Sequence, residues 1–99
     1  MIYLDSIERV KETIEETVQH NGSGQRVDVY FVQEGEGYST LVDVCLVENS
    51  GETFTFAKDV DDTTAFKKAK EVYEILKEQC EGIDIKLYEK EGYPPAERD

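Results

Sequence analysis

Apolar residues spaced three or four positions apart predict two helices. The first extends over about 6–20 and carries the apolar stripe Ile7, Val10, Ile14 and Val18. Asp5, with Glu8 three positions later, predicts its N-terminal cap, and His20-Asn21-Gly22 predicts its end. The second helix is predicted from the capping sequence Asp61-Asp62-Thr63-Thr64 to about Cys80. Its apolar stripe consists of Ala65, Phe66, Ala69, Val72, Tyr73, Leu76 and Cys80.

Alternation with a period of two, in segments rich in β-branched and aromatic residues, predicts four strands. Three of them occupy about 27–32, 38–47 and 53–57. The sequences Glu34-Gly35-Glu36-Gly37 and Glu48-Asn49-Ser50-Gly51 separate them and are short enough for hairpins. A fourth strand follows the second helix over about 83–88.

The order α-β-β-β-α-β predicts an α+β fold, a two-layer sandwich in which both helices cover one face of an antiparallel three-strand meander. A right-handed crossover through the second helix places the fourth strand at a sheet edge, parallel to the third. Its neighbour is strand one or strand three, and the pattern leaves both open. Ninety-nine residues are expected to form one domain over 1–92, with a flexible tail over 93–99.

The sheet face turned away from the helices, called here the reverse face, is predicted to mix polar and apolar side chains. A solvated antiparallel face is usually polar, so the mixture predicts an exposed apolar patch that contacts a partner. Homodimerisation is one form of that contact, and ordinary exposed apolar area is the structural alternative. The candidate partner-binding residues on this face are Asp28, Tyr30, Leu41, Asp43 and Tyr88.

Net charge excludes more classes of function than any other feature of the sequence. The 23 acidic and 11 basic residues give −12, spread along the chain. This balance argues against a basic nucleic-acid binder and against a protein that binds anionic membranes. No apolar run approaches the ~18 residues of a membrane span, and Asp5 and Glu8 argue against a signal peptide. We therefore expect a cytoplasmic protein whose two cysteines stay reduced.

Carboxylates gather in two loops and supply the second set of candidate partner-binding residues: Glu34, Glu36, Asp59, Asp61 and Asp62. The loops lack the D-x-[DN]-x-[DN]-G spacing of a calcium loop, so no metal site is predicted. Asp61 and Asp62 also fit the capping of the second helix.

No motif indicates catalysis or a cofactor. His20 is the single histidine, and Cys45 and Cys80 lie on different predicted elements, so the three do not form a zinc site. Cys80 is expected to be buried on the core stripe, which leaves Cys45 as the more reactive thiol. Gly22-Ser23-Gly24 follows a helix and precedes a strand, the reverse of a phosphate-binding loop.

The order α-β-β-β-α, with Lys67-Lys68-Ala69-Lys70 early in the second helix, is similar to a double-stranded-RNA-binding domain. That resemblance implies lysines that contact phosphates across the major groove. The chain departs from the family at Glu34-Gly35-Glu36-Gly37, where the family has a loop with Pro and His, and in its added fourth strand. Acidic side chains near a phosphate lower affinity, so no direct contact with nucleic acid is predicted.

These observations predict a non-catalytic acidic protein-binding module. Its sharper form is an inhibitor that mimics nucleic acid and blocks a basic nucleic-acid-binding protein. Small acidic α/β proteins of this size resemble the anti-restriction and anti-CRISPR inhibitors of phages and mobile elements, which implies action in the host cytoplasm. The alternative is a small cytoplasmic homodimer, structural or adaptor, whose acidity serves solubility.

Overall fold

A computed structural model describes residues 4–21, 26–45 and 52–93. The order of elements is α1 (Ile7–Asn21), β1 (Arg26–Glu34), β2 (Gly37–Cys45), β3 (Glu52–Val60), α2 (Asp62–Gln79) and β4 (Asp84–Leu87). Two helices and an open four-strand sheet confirm the predicted α+β fold. The predicted connector at 22–24, the hairpin sequence at 48–51 and the tail beyond residue 93 lie outside the described residues.

The sheet has the order β3-β2-β1-β4. Strands β1, β2 and β3 form the antiparallel meander, and β4 pairs in parallel with β1, Val29 opposite Leu87. Because β1 and β3 both run antiparallel to β2, β4 is also parallel to β3, as predicted. Its neighbour is strand one, which decides between the two positions that the sequence left open.

The main core lies between the sheet and the two helices, which pack on the same face. Helix α1 contributes Val10 and Ile14, and α2 contributes Ala69, Val72 and Leu76. The sheet side of this core consists of Val27, Val29, Val42, Val44, Phe54, Phe56 and Ile85. Burying each large apolar side chain contributes about 1.5–3 kcal/mol, so this layer is the main source of stability.

The two helices begin differently. The Asp61 carboxylate accepts the Thr64 N–H at 2.7 Å and caps α2 as predicted. The Asp5 cap predicted for α1 is wrong by one residue, because the Ser6 hydroxyl accepts the Arg9 N–H at 3.3 Å. Asp5 instead binds the edge strand β3, where its N–H donates to the Thr55 carbonyl and its carboxylate accepts the Thr55 N–H. Asp5 thus satisfies edge groups of β3 that β2 does not bind.

The end of β3 is bent where it passes Gly37. The pairing of β2 with β3 shifts on both sides of Thr40, and Asp59 has a left-handed φ of +58°. A Cβ on Gly37 would lie 2.8 Å from the Asp59 Cα, so this close approach of two backbones requires glycine. The contact holds the β1–β2 turn against the end of β3.

Candidate protein-binding surface

One end of the sheet gathers the acidic loops. Glu36 lies in the β1–β2 turn, and the Gly37 contact places this turn beside Asp59. Glu34 and Asp59 lie at the ends of β1 and β3, not in the loops predicted for them. Asp61 and Asp62 follow directly, where β3 gives way to α2. The residues that form this surface, called here the acidic end, are Glu34, Glu36, Asp59, Asp61, Asp62 and Glu91. All are exposed except Glu34, which is half-buried.

Glu91 reaches the acidic end from the C-terminal side of the molecule. The neighbouring Gly92 N–H donates to the Phe31 carbonyl at 3.1 Å, which places this segment beside the second half of β1. The Glu91 carboxylate, and to a smaller extent that of Asp62, raises the pKa of the phenol of the half-buried Tyr38. Carboxylates from two separate segments, the β3–α2 junction and the segment after β4, therefore act on the same tyrosine.

Two members of the acidic end also have structural roles. Asp61 is the N-cap of α2, where Asp, Asn, Ser and Thr are favoured. Asp59 holds the left-handed backbone conformation that Asn and Asp tolerate better than other L-residues. The pKa of Asp61 is lowered by its bonds to Thr64. Replacing either residue by lysine would therefore disturb the fold as well as the charge, whereas asparagine removes the charge alone.

The reverse face differs from the prediction. Tyr30, Leu41 and Asp28 are only 3, 5 and 1 % exposed, so an exposed apolar patch at these positions is contradicted. Tyr30, Val32 and Leu41 form a second buried cluster with Tyr88 against it, called here the reverse-face cluster. Asp43 and Tyr88 are half-buried. The mixed composition of this face indicates a second, smaller core.

A buried ion pair lies beside this cluster. The Arg26 guanidinium donates to an Asp28 carboxylate oxygen at 3.1 Å, and Asp28 is almost fully buried. Burial lowers the pKa of Arg26, but the charge and hydrogen bond of Asp28, with Tyr88 and Cys45, together outweigh that effect, so the pKa is raised. The Cys45 thiol lies 3.8 Å from the same carboxylate. Asp28 is thus an internal partner of Arg26 in this structure.

Asp43 lies directly opposite Asp28 across β1 and β2. It accepts hydrogen bonds from the Tyr30 hydroxyl at 3.0 Å and from the Thr53 hydroxyl at 2.7 Å. Burial, with the Asp43 carboxylate next, raises the pKa of Tyr30 well above its ordinary value. The two carboxylates tolerate their proximity because each has its own hydrogen-bond donors.

The remaining candidates offer little chemistry. Cys45 is buried, although the sequence favoured it as the reactive thiol, and Cys80 is half-buried with a pKa raised by desolvation. A cleft of about 360 Å³ lies beside Cys80, lined by Lys11, Ile14 and Ile83 among others. Within ranges 4–21, 26–45 and 52–93, no group of three His, Cys, Asp or Glu side chains is placed to hold a metal ion.

Sequence reasoning missed Arg26 and Glu91. Arg26 could have been found, because residues two apart in a strand share a face and Asp28 needs a partner if it is buried. The convergence of the two acidic loops also follows from the meander, since the end of strand one and the end of strand three lie at the same side of the sheet. Glu91 had no such signal, because its position depends on the irregular segment after β4.

Comparison with known proteins gives no relative. No protein-family model matches the chain, and neither the search of curated sequences nor that of solved structures finds a similar protein. The charge and geometry of the chain itself therefore carry the functional argument.

Proposed function

We propose that this chain is a non-catalytic acidic protein-binding module that presents its acidic end to a basic surface on another protein. The observation that supports this proposal is the convergence of six carboxylates from the β1–β2 turn, the β3–α2 junction and the segment after β4. Lys58 and Lys90 are the basic residues adjacent in sequence to this set. Six acidic and two basic side chains leave a local charge of −4.

Charge of this kind acts on association before any contact forms. A net charge of −12 draws a basic surface toward the protein, and clustered carboxylates at one end orient the encounter. Such steering raises association rates and weakens as salt is added, because the Debye length is about 8 Å at physiological ionic strength. The half-buried Tyr38 supplies a planar amphipathic side chain beside the charges, of the type enriched at protein interfaces.

The partner class that fits best is a protein whose basic groove otherwise holds nucleic acid. Carboxylates on a rigid frame can occupy lysine and arginine side chains that bind phosphates, because those side chains recognise either anion. In this form the chain is an inhibitor of the anti-restriction or anti-CRISPR kind and acts in the cytoplasm of the host cell. Neither helix in the described part of the chain is long and apolar enough to cross a membrane.

The homodimer alternative has weaker support. It depended on an exposed apolar patch on the reverse face, and the residues chosen for that patch are largely buried within one copy. A role in solubility alone also does not explain why carboxylates from three segments lie at the same end of the sheet.

A competition experiment tests the proposal. A fluorescent DNA duplex is bound to a short arginine-rich peptide, and the purified protein is added while anisotropy is followed at low and at physiological salt. We expect the protein to displace the duplex at low salt, and its own affinity for the peptide, corrected for the salt-dependent binding of the duplex, to fall as salt is raised. Failure to displace the duplex at low salt would contradict the proposal. A corrected affinity for the peptide that does not depend on salt would also contradict it.

A further inference from the structure

The chain continues along β1 after β4 ends at Leu87. The Tyr88 N–H donates to the Val29 carbonyl at 2.9 Å, and the Gly92 N–H donates to the Phe31 carbonyl at 3.1 Å. Residues 88–93, called here the strap, thus follow the outer edge of β1 without extending β4. Two backbone bonds over this length are fewer than a regular ladder provides.

The strap lies against the reverse-face cluster. Tyr88 packs on that cluster, and the ring of Tyr93 lies 5.8 Å from the ring of Tyr30. Beneath these contacts, Val32 and Leu41 are buried almost completely. An opened strap would therefore uncover part of an apolar surface that the closed protein shields.

Beyond Tyr88, the hold of the strap on the sheet is weak. Residues 89–91 are exposed, and Tyr93 is 67 % exposed. The Tyr93 hydroxyl reaches the Glu34 carboxylate only at 3.5 Å, the long limit of a hydrogen bond. Gly92 has a φ of +136°, a conformation that side-chain-bearing residues rarely adopt. Segments with few buried contacts and solvent-exposed backbone bonds open before the rest of a protein.

The strap also adds like charge to the acidic end. Glu91 acts on the same tyrosine as Asp62, and Tyr93 lies against Glu34, so closure places another carboxylate among carboxylates. Like charges gathered at one end of the sheet oppose the closed state, and a cation held there would weaken that opposition. The strap and the acidic end are therefore energetically linked.

We infer that the strap opens locally while the rest of the fold stays intact, and that a basic partner bound at the acidic end favours its closed state. The second half of this inference rests on the proposed function, whereas the local opening does not. By linkage, a partner that binds better when Glu91 is in place must stabilise closure by the same factor.

Amide hydrogen exchange on the full chain, followed by NMR, tests the local opening without any partner. We expect the Tyr88 and Gly92 amides to exchange at least tenfold faster than the core amide of Val42. Their protection should rise when salt is raised from about 10 mM to about 1 M, because the Debye length falls from about 30 Å to about 3 Å. Equal protection of strap and core amides would overturn the local opening.

Two variants measure how much the charge of Glu91 opposes closure of the strap. Glu91→Gln removes the repulsion and should slow exchange of the Tyr88 and Gly92 amides about twofold, the size of one exposed like-charge pair. Glu74→Gln, on the exposed face of α2, makes the same change in net charge and should leave both amides unchanged. Equal effects of the two substitutions would overturn the charge linkage.

An arginine-rich peptide then tests whether a basic partner favours the closed state of the strap. Its binding should slow exchange of the strap amides, and Gly92→Ala, which strains the closed strap, should weaken its affinity while circular dichroism stays unchanged. Binding with no change in strap exchange would overturn the linkage to the partner. Absence of peptide binding would overturn the proposed function and its linkage but not the local opening, which the preceding measurements establish separately.

Discussion

Removal of the Arg26 side-chain charge is expected to destabilise the fold strongly. Asp28 is 1 % exposed and its neutralising partner is the Arg26 guanidinium at 3.1 Å. Arg26→Met keeps an apolar stem of similar length but leaves the carboxylate buried without a counter-charge. Breaking buried pairs in this way costs about 3–5 kcal/mol. The Arg26 side chain is 27 % exposed, which lets water reach the pair, so we expect the lower end, about 3 kcal/mol.

Urea unfolding followed by far-ultraviolet circular dichroism measures this loss. With a slope of about 1.5 kcal/mol per molar urea, the midpoint should fall by about 2 M. The double variant Arg26→Met/Asp28→Asn should recover at least about 1 kcal/mol, because the buried group no longer carries a charge. A loss below about 0.5 kcal/mol for Arg26→Met would refute the argument. So would a double variant no more stable than Arg26→Met.

Three further predictions concern the fold around the candidate surface. The raised pKa of Tyr30 gives stability that is present below pH ~10 and lost as pH rises through the folded-state pKa. Tyr30→Phe should therefore flatten the alkaline fall in the free energy of unfolding, and an unchanged slope would contradict this. Gly37→Ala should cost about 1–3 kcal/mol by thermal melting, because its Cβ meets the Asp59 backbone; a neutral substitution would show that β3 moves freely. Leu41→Glu should unfold or severely destabilise the chain, since Leu41 is buried. A stable, folded variant would show that Leu41 is exposed.

The layers of the fold could be predicted because local pattern and burial agree there. Valine alternation along β1 and β2 and the stripe on α2 all point to the core they form. The place of β4 could not be predicted, because a four-residue strand can pair with either edge of a three-strand meander. The side chain of His20, like Leu46 and Val47, lies outside the described residues, so predictions about them stay predictions.

The reverse face shows where the pattern was insufficient. Residues such as Tyr30 and Leu41 occur both in exposed contact patches and in covered cores, and here they form a covered core. The difference depends on residues 88–93, whose exposed charges and Gly92 give no periodic signal. Arg26 and Asp28 likewise look like two solvated charges in sequence, although the structure buries one against the other. Whether a sheet face is covered by another segment, and whether two charged side chains form a buried pair, depend on tertiary structure and cannot be predicted from alternation alone.

Charge neutralisation at matched sites tests whether the acidic end is the surface that binds a basic partner. Three double variants raise the net charge by the same amount: Glu34→Gln/Glu36→Gln, Asp59→Asn/Asp61→Asn, and Glu74→Gln/Glu78→Gln on α2 as the control. Asparagine keeps the cap at 61 and the left-handed backbone at 59, so the loop pairs change charge with little effect on the fold.

Affinity for the arginine-rich peptide, measured by calorimetry at low salt, is the readout. We expect each acidic-end pair to weaken binding about fivefold, or about 1 kcal/mol, because each pair removes two partly screened charges. The α2 pair should change it less than twofold. Equal losses for all three pairs would mean that net charge acts without a positioned site, and would contradict the assignment of the acidic end as the binding surface.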